Sequence, residues 1–151
     1  MIVFDLDQTV VNSAHRTPLD EFGKVDIPGY VEKQTENFIM QDELLPLASV
    51  MKEAYYRTFV VICTARQMTQ FDYVFLEKNN LLFHEIFERG NVSEEISKLP
   101  DPIYKTKCLK KYKDINYTFY DDSDEVIKLF NTYPNVNMID SKAINIRLAQ
   151  S

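Results

Sequence analysis

The chain has 151 residues, of which 45% are apolar and 26% charged, and its net charge is −6. That length supports one domain with a real core rather than two, and the acidic balance gives no global field to draw in nucleic acid, leaving only a local basic patch open. No apolar run approaches the length of a membrane span, and neither GxxxxGKS/T nor GxGxxG is present, which argues against a P-loop kinase and a dinucleotide-binding site.

Met1–Phe4 reads as a buried strand, and no signal peptide fits ahead of it. It ends in Asp5-Leu6-Asp7, two carboxylates at the edge of a sheet where ligands bind in open α/β folds. Burying one carboxylate beside another is unfavourable without a cation or a shared proton. Either a metal sits there, the carboxylates take different roles, or they are turn residues. Val10–Gln41 has no clean period and holds Pro18, Gly23, Pro28 and Gly29; it reads as an excursion over the top of the site, with a short helix near Tyr30–Asn37.

Leu44, Leu47, Ala48, Met51, Ala54 and Tyr55 share one face of a helix that Asp42 can cap. Thr58–Cys63 is a second buried strand, ending in Thr64-Ala65-Arg66, and a helix follows with Thr69 as cap and Phe71, Val74 and Phe75 inward. Leu81–Phe87 is a short third strand, and Arg89–Pro102 a polar connection with a helical turn around Ser93–Lys98. Tyr104–Tyr112 reads as a helix with Lys105, Cys108, Leu109 and Tyr112 on one face. Tyr117–Tyr120 is a strand leading into Asp121-Asp122-Ser123-Asp124. A helix with Val126, Leu129, Phe130 and Tyr133 inward precedes a last strand, Asn135–Ile139. The alternation predicts an α/β fold with a largely parallel central sheet. Cys63 and Cys108 stand in no metal-binding spacing and are expected reduced, in a cytoplasmic protein.

In a parallel sheet, Asp5/Asp7, Thr64/Arg66 and Asp121/Asp122 fall on one edge, and an inward Lys105 needs an anion that these carboxylates supply. With these residues in this order the chain resembles the haloacid dehalogenase superfamily of phosphohydrolases. DLDQTV at 5–10 is similar to its first motif, DxDxT/V, VVICTAR at 60–66 to its second, Lys105 to its third and YDDSDE at 120–125 to its fourth. The excursion, with Asn12 to Arg16 and Asp42, is similar to phage-type polynucleotide kinase 3′-phosphatase domains. Gln8 departs from the glycine usual at its place, which reduces backbone freedom there.

The resemblance implies a three-layer fold in one domain over 1–151, with no large cap. It implies a Mg²⁺-dependent phosphomonoesterase with Asp5 as nucleophile, Asp7 as general acid and then base, and Lys105 completing the catalytic set. Asp5, the Asp7 carbonyl and Asp122 would bind the metal directly, and Asp121 through water. Thr64 and the Ala65 amide would hold phosphate oxygens. Arg66 either clamps substrate or pairs with a carboxylate, and His15 and Arg16 either contact the leaving group or stand exposed. The run Lys105, Lys107, Lys110, Lys111, Lys113 is either a patch for a polynucleotide or a solvated face around one inward lysine. With basic walls and no cap, the expected substrate is a nucleic-acid 3′-phosphate end. The alternatives are a nucleotidase acting on (deoxy)nucleoside monophosphates and a catalytically silent phosphate-binding protein.

Overall fold

In the computed structural model, which describes residues 1–151, Ile2–Phe4 (β1) is the central strand of a five-stranded sheet. A central parallel strand is covered on both faces, and Val3 and Phe4 are fully enclosed. Two short strands, β2 (Val11–Asn12) and β3 (Glu43–Leu44), pair antiparallel outside that sheet and close the neck of the excursion. Between them lie a 3₁₀ turn at Ala14–Arg16 and two short helices, α1 (Ile27–Glu32) and α2 (Glu36–Ile39). The helix expected near Tyr30–Asn37 is therefore split and starts earlier. Asp26 caps α1 by accepting the Gly29 N–H, and Pro28 falls in the first turn, where its missing N–H costs nothing.

The next helix, α3 (Leu47–Ala54), begins after Pro46, and Asp42 does not cap it, because that carboxylate is committed elsewhere. The strand β4 (Val60–Cys63) leads to α4 (Gln70–Lys78), whose Thr69 cap is as expected and forms a reciprocal capping box with Asp72. Phe75 turns inward on α4 as expected, but Val74 is exposed and Leu76 is buried in its place. The third strand is shortened to β5 (Glu85–Phe87), and α5 (Glu94–Ser97) is the turn expected at Ser93. Helix α6 (Asp101–Cys108) begins before Tyr104, with Pro102 tolerated in its first turn, and tightens into a 3₁₀ turn at Leu109–Tyr112. Then come β6 (Tyr117–Asp121), α7 (Asp124–Phe130), β7 (Val136–Asp140) and α8 (Ser141–Ala149). The sequence reading had ended at the strand before α8.

The sheet order is β5-β4-β1-β6-β7, all parallel. The chain lays β4 and β5 on one side of β1, then crosses over to lay β6 and β7 on the other. The C-terminal ends of β1, β4 and β6 flank that reversal, the crevice in which such sheets bind ligands. Phe4, Leu6, Val60 and Ile62 pack on one face against α3, α4 and α8, and Val3, Val61, Cys63 and Phe119 on the other against α6 and α7. Alternate residues of each strand thus serve opposite layers, and each large apolar side chain so buried contributes about 1.5–3 kcal/mol. No helix is long and apolar enough to cross a membrane.

Candidate active site

Registry brings the acidic residues together. Phe4 stands level with Ile62 on one side and Tyr120 on the other, so Asp5 and Asp121 emerge side by side. Lys105 comes up from α6, on the inward face, with 1% of its surface exposed, while Lys107 points to solvent. Its Nζ lies 2.7 Å from Asp121 Oδ2, 3.1 Å from Asp5 Oδ1 and 3.2 Å from Asp101 Oδ1. Burial works against the ammonium, but Asp121, Asp5 and Asp101 outweigh it and hold the pKa well above the usual lysine value.

One lysine does not neutralise this set. Asp5, Asp121 and Asp122 each present a carboxylate oxygen within 4.8 Å of the others. Burial, then Asp121, raises Asp5 well above the ordinary carboxylate range against the pull of Lys105, and burial with Asp121 pushes Asp122 up to about 6. Asp121 is fully enclosed, with Oδ1 accepting the Ser123 N–H and Oδ2 taking Lys105, whereas Asp122 opens onto a cavity of about 760 Å³. A set of hard oxygen donors whose charges repel one another suits a hard divalent cation.

The loop after Asp5 is fixed from within and by the last helix, α8. The Leu6 carbonyl accepts the N–H groups of Thr9, Val10 and Val11, and Gln8 takes a left-handed φ of 60° to make that turn. Thr9 Oγ1 donates to Asp5 Oδ2 at 3.2 Å and meets Ser141 Oγ at 3.0 Å. Asn145 donates to the Thr9 carbonyl and accepts the Leu47 N–H, both at 2.9 Å. Ser141 and Asn145 belong to α8, and sequence reasoning missed both. The signal available was Asp140, whose carboxylate caps that helix.

A second charged cluster adjoins the first. Arg66 donates from Nε and Nη2 to Asp7 and from Nη1 to Asp72. Arg16 Nη2 lies 3.8 Å from Asp72, and its Nε and Nη2 form a two-pronged pair with Asp42 at 2.9 Å each. Burial opposes ionisation of Asp7, yet Arg66 and the Ser13 hydroxyl hold its carboxyl below the usual range. Arg66 therefore pairs with carboxylates, one at the cavity and one buried. Neither His15 nor Arg16 reaches the cavity. Arg16 is fully enclosed and His15 Nε2 lies 2.7 Å from Asp42, so they hold the excursion to the domain instead of forming basic walls.

The cavity has Asp5, Asp7, Lys105 and Asp122 at its floor, Ala65 and Arg66 at one side, and Val25, Ile27, Tyr30 and Val31 of the excursion opposite. Gln34 of the excursion donates to the Gln67 carbonyl, tying the two sides together. Thr64 is fully buried behind Ala65, and its Oγ accepts the Arg66 N–H at 3.1 Å. Lys107, Lys110, Lys111 and Lys113 border a separate shallow groove with Phe87 and Val92. Cys63 and Cys108 are free and buried.

A family model described as Bacteriophage T5 5'-deoxynucleotidase matches residues 1–151. The 5'-deoxynucleotidase of Escherichia phage T5 is 31% identical over an alignment of 168 positions, gaps included, that covers 96% of this chain and 68% of that protein. A haloacid dehalogenase-like family hydrolase from Streptococcus pneumoniae superposes with a TM-score of 0.66 over 97% of this chain and 89% of its own, at 13% identity, a likeness of fold.

Proposed function

The chain belongs to the bacteriophage T5 5'-deoxynucleotidase family and is a phosphoric monoester hydrolase with a haloacid dehalogenase-like fold; from that premise we propose that it hydrolyses (deoxy)nucleoside 5′-monophosphates through an aspartyl-phosphate with Mg²⁺. The observation that carries the substrate is one continuous cavity. It joins a floor suited to a phosphoryl group and a cation to an aliphatic and aromatic wall, Val25, Ile27, Tyr30 and Val31, on which a nucleoside can lie. His15, Arg16 and the outward lysines of α6 and the turn after it, the walls expected to hold a nucleic-acid 3′-phosphate end, are not at this cavity, and the relative's activity favours the nucleotidase alternative. The buried thiols fit a cytoplasmic setting.

In this reading an Asp5 oxygen forms a bond to phosphorus as the bond from phosphorus to the ester oxygen breaks, and Asp7 gives that oxygen its proton. Water then attacks phosphorus, Asp7 takes its proton, and Asp5 is released. The pair with Arg66 favours ionised Asp7, the form needed for the second half; the first half requires that pair to loosen. Lys105 sets the Asp5 carboxylate in place and offsets charge on the transferring group. The Ala65 amide faces the phosphoryl group, with Thr64 behind it. Asp5, Asp122 and the Asp7 carbonyl would hold Mg²⁺, with Asp121 behind them, and the ion supplies charge stabilisation for the phosphoryl oxygens.

The test is a phosphate-release screen over 5′- and 3′-deoxynucleotides, 5′-ribonucleotides and 3′-phosphorylated oligonucleotides, with Mg²⁺ and with chelator. The expected result is the highest kcat/KM for a nucleoside 5′-monophosphate and none in chelator. Faster turnover of a 3′-phosphorylated oligonucleotide would overturn the substrate, and full activity in chelator would overturn the metal.

A further inference from the structure

A turn that receives an anion must present N–H groups and turn its carbonyl oxygens away, since each carbonyl carries negative charge of its own. The turn after β4, Thr64 to Met68, borders the cavity at Ala65, Arg66, Gln67 and Met68. Two of its successive carbonyls point to the same neighbour: Ala65 O accepts Arg89 Nε at 2.7 Å, and Arg66 O accepts the Arg89 backbone N–H at 3.0 Å. Two residues on, the turn is gripped by the adjoining side chain, the Met68 N–H donating to Glu88 Oε2 at 2.6 Å. Glu88 is 4% exposed, an unusual place for a carboxylate outside any ion pair, and backbone N–H donation stabilises it there.

Arg89 is itself held. Nη1 donates to the carbonyls of Ser97 at 2.5 Å and Leu99 at 2.9 Å, and its guanidinium lies 4.5 Å over the Tyr104 ring. It also lines the cavity, so its charge stands beside the turn that it orients.

We infer that Glu88 and Arg89 form a clasp that sets the phosphate-receiving turn, with Arg89 the positioning residue that keeps the Ala65 and Arg66 carbonyls turned off the phosphoryl group. The inference rests on the phosphomonoesterase reading above. Because a peptide's C=O and N–H point in opposite directions, holding the two carbonyls aims the Arg66 and Gln67 N–H groups the other way; that of Arg66 meets Thr64 Oγ. The clasp acts on the anion and not on the cation, since Asp5, Asp121 and Asp122 lie at the ends of β1 and β6, away from the clasp's loop after β5.

The experiment measures kcat and KM for a 5′-deoxynucleotide, the inhibition constant of inorganic phosphate, the Mg²⁺ activation constant and the melting temperature in Arg89→Lys, Glu88→Ala and Glu88→Gln. Arg89→Lys keeps the charge but loses the forked geometry, and should raise KM and the phosphate inhibition constant roughly tenfold or more, the scale of one charge-assisted hydrogen bond, with the Mg²⁺ constant unchanged. Glu88→Ala should do the same to a smaller degree, and Glu88→Gln, whose amide oxygen still accepts the Met68 N–H, should restore most of it. Should Arg89→Lys fail to fold, the Glu88 pair carries the test. Unaltered phosphate inhibition in folded Arg89→Lys and Glu88→Ala, or a parallel loss of Mg²⁺ activation, overturns the clasp while the phosphatase reading stands. A wild-type protein that neither binds nor releases phosphate overturns both.

Discussion

Two buried charge clusters meet at the floor of the cavity, and they are built on opposite terms. Around Lys105, the single ammonium faces the carboxylates of Asp5, Asp101, Asp121 and Asp122. Around Arg66, the guanidiniums of Arg16 and Arg66 face Asp7, Asp42 and Asp72. The first is short of positive charge, and Asp5, Asp121 and Asp122 all titrate above their ordinary range. The second is close to balance, and Asp7 titrates below it. A deficit of cations marks a place prepared to receive one, whereas a nearly balanced set serves to hold two segments together. Asp5, the proposed nucleophile, sits in the first cluster and Asp7, the proposed acid and base, in the second, so the proposed reaction draws on both.

The difference is tested most severely at Asp5. Asp5→Asn should bring phosphate release below about a hundredth of wild type, because an amide is a poor nucleophile. Its melting temperature in chelator should not fall, since the substitution removes charge from a cluster with too much of it. Retained turnover in the purified variant would remove Asp5 from its role.

At the balanced cluster the expected sign is the reverse. Asp42→Ala strands the Arg16 guanidinium in the interior and should cost roughly 3–5 kcal/mol in chemical denaturation, the scale for breaking a buried ion pair from one side. The Mg²⁺ constant of the protein that remains folded should not move. A loss of less than about 1 kcal/mol, as for exposed pairs, would mean that this cluster is not buried in solution.

Lys105 separates the inward from the outward face of α6. Lys105→Ala should cost about 2–4 kcal/mol of transition-state stabilisation, read from kcat/KM, while Lys107→Ala should leave it unchanged. The opposite ranking would mean a different helix rotation.

The smallest effect is one of pH. A carboxyl whose folded pKa lies above its unfolded value binds a proton more readily in the folded state, so its repulsion is relieved as pH falls. For Asp122 that window runs from about 6 down to the ordinary value of 3.8. In chelator, the melting temperature should therefore rise modestly between pH 7 and pH 5. Stabilisation by added Mg²⁺ should be larger at pH 7 than at pH 5. A flat profile in chelator would show that the cluster is already compensated.

Most of the cation-poor cluster was legible in the sequence because Asp5 follows IVF, Asp121 and Asp122 follow YTFY, and Lys105 falls in step with Cys108 and Leu109; Asp101 was not, since it lies in the stretch that reads as a polar connection. The balanced one was not. Arg66 and Asp7 are 59 positions apart and Arg16 and Asp42 26, and nothing local distinguishes a charge that will be buried from one that will be solvated. Asp42 stood where a cap could stand, and was read as one. Helix α8 escaped notice for a related reason. Its inward positions include Ser141 and Asn145 alongside Ile144 and Leu148, so the apolar period that announces a helix is interrupted by the polar groups that brace the nucleophile loop. Val74 erred the other way, an apolar residue on the solvent side of α4.

Those same braces have a consequence for how the enzyme comes into being. Thr9 meets Ser141 and Asn145 across 132 and 136 positions, and β1 needs β6 as well as β4 to cover its two edges. On the ribosome, Thr9 emerges 132 positions ahead of Ser141, so β1 and its loop wait through the synthesis of both neighbouring strands for the helix that braces them. The proposed nucleophile is thus licensed by residues translated long after it, so a nascent polypeptide that lacks α8 carries Asp5 without the braces that aim it.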